Sequence, residues 1–133
     1  MNAYQEIYDQ IPIRFDMASQ VMLLGIVQGF FLALVIFLRA STKSAIHWFG
    51  WALVVQCLVF LDVYLCYTGL MKYVIYLNDS TEFLVLFIAP TLYFFLYTLL
   101  ERKSFSLIKF WPHFVLPTLY LLTQIQYLLS PEA

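Results

Sequence analysis

The sequence predicts an all-α membrane protein with four transmembrane helices, and three observations carry that expectation. Hydrophobic residues make up 63% and charged residues 11% of the 133, against roughly 45–50% and 25% in soluble domains. The apolar residues gather in four long runs, at about 17–38, 46–71, 83–100 and 110–129. The charges fall between those runs, so little chain is left over for a water-soluble core. The expected organisation is a short amphipathic extracytoplasmic segment, residues 1–16, followed by a four-helix transmembrane domain, residues 17–133.

In the first segment Tyr4, Ile7, Tyr8, Ile11 and Phe15 recur at helical spacing until Pro12 interrupts, with Glu6, Asp9, Arg14 and Asp16 between them. Such a piece lies on a membrane surface. Its acidic character and the length of the run behind it do not fit a cleavable signal peptide. The first span, Met17 to Leu38, has no charged residue and as a helix reaches roughly 33 Å, enough to cross the hydrocarbon layer. Gly25, Gly29 and Ala33 fall on one face at i, i+4 and i+8, a stripe that lets another helix come close. Gln28 stands beside it as an amide that needs a partner in hydrocarbon.

A basic turn with Arg39 and Lys43 leads to the second span, which holds Asp62. A carboxyl within a membrane span costs roughly 2.5–3.5 kcal/mol on insertion scales, so Asp62 is expected to face other helices and be partnered or protonated. Asn78 to Thr81 supply cap residues for the third span. Pro90 lies in the body of that span, removing one backbone donor and opposing the Leu86 carbonyl, so a kink is expected there. A second basic turn, Glu101 to Lys109, leads to Trp111-Pro112 and the fourth span.

Five of the seven Lys and Arg (Arg39, Lys43, Arg102, Lys103, Lys109) lie in the turns after spans one and three. The positive-inside rule then puts both termini outside, on the side away from the cytoplasm. Six of the eight acids fall on that outer side, and Trp48, Trp51 and Trp111 sit at the inner boundary. This topology brings Gln28, Asp62 and Pro90 to a similar depth, and a polar node with Gln28 bonded to Asp62 is the sharpest expectation for a site. Tyr64, Tyr67, Tyr73 and Tyr76 gather toward the outer face.

Several function classes find no support. The formal charge of −1 carries no basic stripe for nucleic acid. Cys57 and Cys66 lie about 13 Å apart along one helix, too far to bridge each other. His47 and His113 are placed near the inner interface, far from Asp62, and no nucleophile, phosphate loop or metal cluster is visible, so neither an enzyme nor a cofactor is expected.

The run from Leu23 to Leu70, then IAPTLYFFLYTL, then WPHFVLP, resembles the N-terminal membrane region of bacterial membrane-bound regulators with an AraC-type helix-turn-helix domain. The positions that match the family's pattern are Gly25, Gln28, Gly29, Phe31, Leu32 and Ala33, then Asp62, Thr68 and Gly69, then Pro90, Leu92 and Tyr93, then His113, Phe114 and Pro117. Ala89 stands where the family has glycine. Such regulators carry further spans and a cytoplasmic DNA reader; these residues contain neither, so no direct nucleic-acid binding by this chain is expected. The resemblance implies a sensory and signalling membrane module. Its partners are the lipid bilayer and other transmembrane helices, supplied by missing C-terminal spans, a homo-oligomer or a larger complex. An accessory subunit of a larger membrane complex is the alternative, and a small four-span transporter using Asp62 ranks below both.

Overall fold

The computed structural model describes residues 10–41, 44–74, 82–101 and 111–129. Among them the secondary structure is helical throughout: α1 (Met17–Arg39), α2 (Ala45–Thr68), a 3-10 turn (Leu70–Tyr73), α3 (Glu82–Glu101) and α4 (Pro112–Leu129). Three of these helices, α1, α2 and the Phe83–Leu100 part of α3, are long and apolar enough to cross a membrane. The fourth is shorter, and Pro112, His113, Pro117, Gln124 and Gln126 make it less apolar than the others. The Lys43 turn, the caps Asn78 to Thr81, Tyr76 and the basic turn Arg102 to Lys109 lie outside the described residues.

Local chemistry sets the helix ends. Asp16 is the N-cap of α1, accepting a hydrogen bond from the Ser19 N–H at 2.9 Å, and Ser44 caps α2 by accepting from the Ile46 N–H at 3.3 Å. At the other end of α2, Gly69 adopts φ +74°, a left-handed conformation that stops the helix before the predicted boundary at residue 71. The described part of the expected amphipathic segment, residues 10–16, is not helical: a turn and bend at residues 10–11 lead to irregular chain that is extended at Asp16. Residues 1–9 lie outside the description.

The helices pack in chain order: α2 against α1 and against α3, and α4 less extensively against α3. Two glycines make the α1–α2 seam close. A Cβ placed on Gly29 would run into the Cys57 sulfur of α2, and one on Gly50 of α2 would come within 2.9 Å of the Phe37 ring of α1. Each helix thus receives a side chain of the other where it has none of its own. Between α2, α3 and α4 the core is aromatic and centred on Phe94, which is fully buried, with ring centroids of Trp48 at 5.1 Å and Phe114 at 5.4 Å. Many large apolar side chains on α1, among them Val21, Leu24 and Phe31, are exposed, as suits a surface whose solvent is lipid.

Helix α3 runs through Pro90 without a break, as α4 does through Pro117. In each, the following threonine back-bonds to its own i−4 carbonyl: the Thr91 hydroxyl donates to the Phe87 carbonyl at 2.8 Å, and the Thr118 hydroxyl to the Phe114 carbonyl at 2.7 Å.

Candidate functional site

The small-residue stripe divides. Gly29 meets Cys57 and Ala33 is buried, so these two form the seam with α2. Gly25 is exposed, with nothing within 4 Å of where its Cβ would be. It lines an apolar groove of about 840 Å³ alongside the seam, together with Met17, Val21 and Met22 of α1 and Gln56 and Phe60 of α2.

The predicted Gln28–Asp62 node does not form. Gln28 is exposed on α1, and Oδ1 of Asp62 is buried with no hydrogen-bond partner. Helical geometry explains the miss. Five positions after Cys57, Asp62 is turned about 140° round α2 from the thiol that meets α1, and it points within about 40° of Trp48. The Trp48 ring packs on Phe94 of α3. Asp62 therefore belongs to the side of α2 that looks away from α1. The amide that borders the α1–α2 groove is instead Gln56, a residue that nothing in the sequence set apart from Gln28.

A polar cluster that the sequence reading did not assemble lies where α1 begins and α2 ends. The Tyr67 hydroxyl donates to Oδ2 of Asp16 at 2.6 Å, and the Arg14 guanidinium carbon lies 5.7 Å from the centre of the Tyr67 ring. The Arg14 N–H donates to the Thr68 carbonyl at 3.2 Å. Buried beside them, the Ser19 hydroxyl donates to the Asp16 carbonyl at 2.8 Å. The Tyr67 hydroxyl, then the Ser19 N–H, hold the Asp16 carboxyl below the ordinary carboxylate value of 3.8, since both favour its charged form. Asp16 directly before an apolar run was the available signal for the cap half of this cluster. Its link to Tyr67 spans 51 positions and has no local signature.

His47 packs edge-on to Phe37, with centroids 5.0 Å apart, and its Nδ1 is buried without a hydrogen-bond partner. His113 lies 5.1 Å from the Tyr93 ring. Neither Cys57 nor Cys66 is in a disulfide. Among the described residues no group of three or more His, Cys, Asp or Glu side chains is gathered to hold a metal.

Comparison with protein-family models, with curated proteins and with solved structures finds no match to this chain.

Proposed function

We propose that these residues form a membrane-embedded sensory and signalling module of the kind their motifs resemble, the membrane region of a bacterial AraC-type regulator. In this reading α4 is a fourth span, both termini face the periplasm, the membrane is the bacterial inner membrane, and the role is not enzymatic. The observation that carries it is Asp62, whose Oδ1 is buried in an apolar helix without a partner. An unsatisfied buried polar atom costs about 1–3 kcal/mol, so any packing of α2 that satisfies Asp62 competes with the one observed. That is the property a two-state element requires: a ligand or partner that prefers the second packing shifts the population toward it.

The test is Asp62→Leu, made in the native gene. The apolar side chain removes the unsatisfied oxygen, so stability in detergent should rise by about 1–3 kcal/mol. The competing state loses its advantage, so the signal should be lost, read as changes in transcripts of a small gene set between the wild-type and variant strains. Identical transcripts would refute the signalling reading. The intact mass of the protein from its native membrane is the companion measurement. Signalling to DNA requires a product much larger than the 15.6 kDa of these residues.

The open groove at Gly25 favours a second reading, an accessory subunit docked on a larger membrane protein. Gly25→Leu would fill the groove while leaving the Gly29–Cys57 contact untouched, and should strip a co-purifying membrane protein from the chain. Its retention would count against docking through this face.

A further inference from the structure

The backbone ahead of α1 lies across the end of α2 and is fastened there by three different means. The Arg14 N–H binds the carbonyl of Thr68, the last residue of α2. The Tyr67 hydroxyl binds Oδ2 of Asp16 at 2.6 Å. Gly69, held at φ +74°, offers a surface without a side chain on which Pro12 and Ile11 rest: a Cβ there would meet the Pro12 carbonyl oxygen at 3.2 Å and Cγ2 of Ile11 at 3.3 Å.

Asp16 divides its two oxygens between two helices, Oδ1 closing the first turn of α1 through the Ser19 N–H and Oδ2 reaching α2 through Tyr67. The charged and titratable groups that face it are Arg14, on its own segment, and Tyr67, on α2. Lys72, from the 3-10 turn, lies instead 5.4 Å from the Tyr73 ring. Asp16 and Tyr67 are both exposed, so water stands ready to replace either partner, whereas in the seam deeper along the same helix pair Cys57 is buried against Gly29. The fastening is therefore the part of the α1–α2 contact that opens without unpacking the core.

We infer that residues 11–16 form a releasable latch that joins the start of α1 to the end of α2, so that whatever engages the chain ahead of α1 is passed to α2 through Asp16 and Tyr67. Tyr67 lies five residues from Asp62 on the same helix. A released latch frees the last turn of α2 while α1 keeps its cap, because Ser19 holds the other oxygen of Asp16. The inference stands on this geometry and does not depend on the signalling reading.

The test uses the full chain in membrane vesicles, with Ile11→Cys as reporter and the unaltered chain as control for Cys57 and Cys66. With the latch closed, position 11 packs on Gly69 and reacts slowly with a membrane-impermeant maleimide. Tyr67→Phe deletes one oxygen atom and should raise that rate about fivefold, the ratio that one net hydrogen bond is worth. Asp16→Asn, which keeps both an acceptor and the cap, should raise it less. In the Tyr67→Phe chain, amide exchange in the Tyr64–Thr68 turn should also speed up, while exchange in α3 stays as it was. An unchanged labelling rate would overturn the latch. Faster labelling with unchanged exchange in α2 would overturn its coupling to that helix.

Discussion

The Gly25 and Gly29 substitutions separate a close helix contact from an open one within a single turn of α1. Alanine at either position relieves the helix of a glycine, a gain of roughly 0.8–1 kcal/mol. At Gly25 nothing opposes it, because no atom lies within 4 Å of the new Cβ. At Gly29 the Cβ runs into the sulfur of the buried Cys57, which must shift to admit it. Overpacking of this kind costs about 1–3 kcal/mol. Gly25→Ala should therefore be stabilised or neutral, and Gly29→Ala should be less stable than Gly25→Ala by about 1–3 kcal/mol. Cys57→Ala removes the obstructing sulfur, so in the double variant the new methyl group occupies the space it vacates. A double-mutant cycle of Gly29→Ala and Cys57→Ala, read by equilibrium unfolding in detergent micelles, should show favourable coupling of about 0.5–3 kcal/mol. If Gly29→Ala matched Gly25→Ala in stability, or its effect simply added to that of Cys57→Ala, the account of the seam would be wrong.

Two further outcomes follow from the packing and from the Asp16 cluster. Phe94→Ala should cost about 3–5 kcal/mol, because the ring is 0% exposed among Trp48, Tyr93, His113 and Phe114; Phe31→Ala, at a position 67% exposed, should stay within about 0.5 kcal/mol in the same unfolding assay. Asp16 has a depressed carboxyl, so its contribution to stability is complete above the ordinary value of 3.8 and is lost as pH falls through the lowered value. Tyr67→Phe removes the largest cause of that depression, so its melting temperature should fall less steeply than that of the wild type below pH 3.8, and parallel profiles would refute the assignment.

The helices were legible because each is bounded by groups that lipid excludes. Span one was expected at 17–38 and α1 runs Met17–Arg39; span three was expected at 83–100 and α3 runs Glu82–Glu101. The longest error, at the end of α2, came from reading apolar Leu70 and Met71 as more helix, although Gly69 ahead of them supplies the left-handed stop. Which way each helix faces was far less legible. In water an apolar stripe marks the buried face, but in lipid apolar residues suit both faces, and Ile26 (buried) and Val27 (exposed) are chemically alike. Only small residues retained directional information, and even there Gly29 and Gly25 were indistinguishable until the Cys57 sulfur was in place. Gln28 and Asp62 shared a depth, which sequence position gives, but not a direction, which it does not.

The two halves of the molecule are held together by different kinds of contact. Helices α1 and α2 contain no proline, and they interlock through Gly29 and Gly50, where each receives a side chain from its neighbour with no space to spare. Helices α3 and α4 each carry a proline in mid-helix, and in each the next residue is a threonine whose hydroxyl supplies a donor to the preceding turn. Their shared core is made of rings at centroid separations of 5.1–6.0 Å, in edge-on and tilted arrangements. Helix α2 borders both halves, with its Cys57 face in the stiff seam and its Trp48 face on the aromatic core. Asp62 is turned toward the second of these. A packing that gave Asp62 a partner would thus rearrange the α2–α3 contact rather than the glycine seam, which makes that contact the place where two packings of the spans would differ.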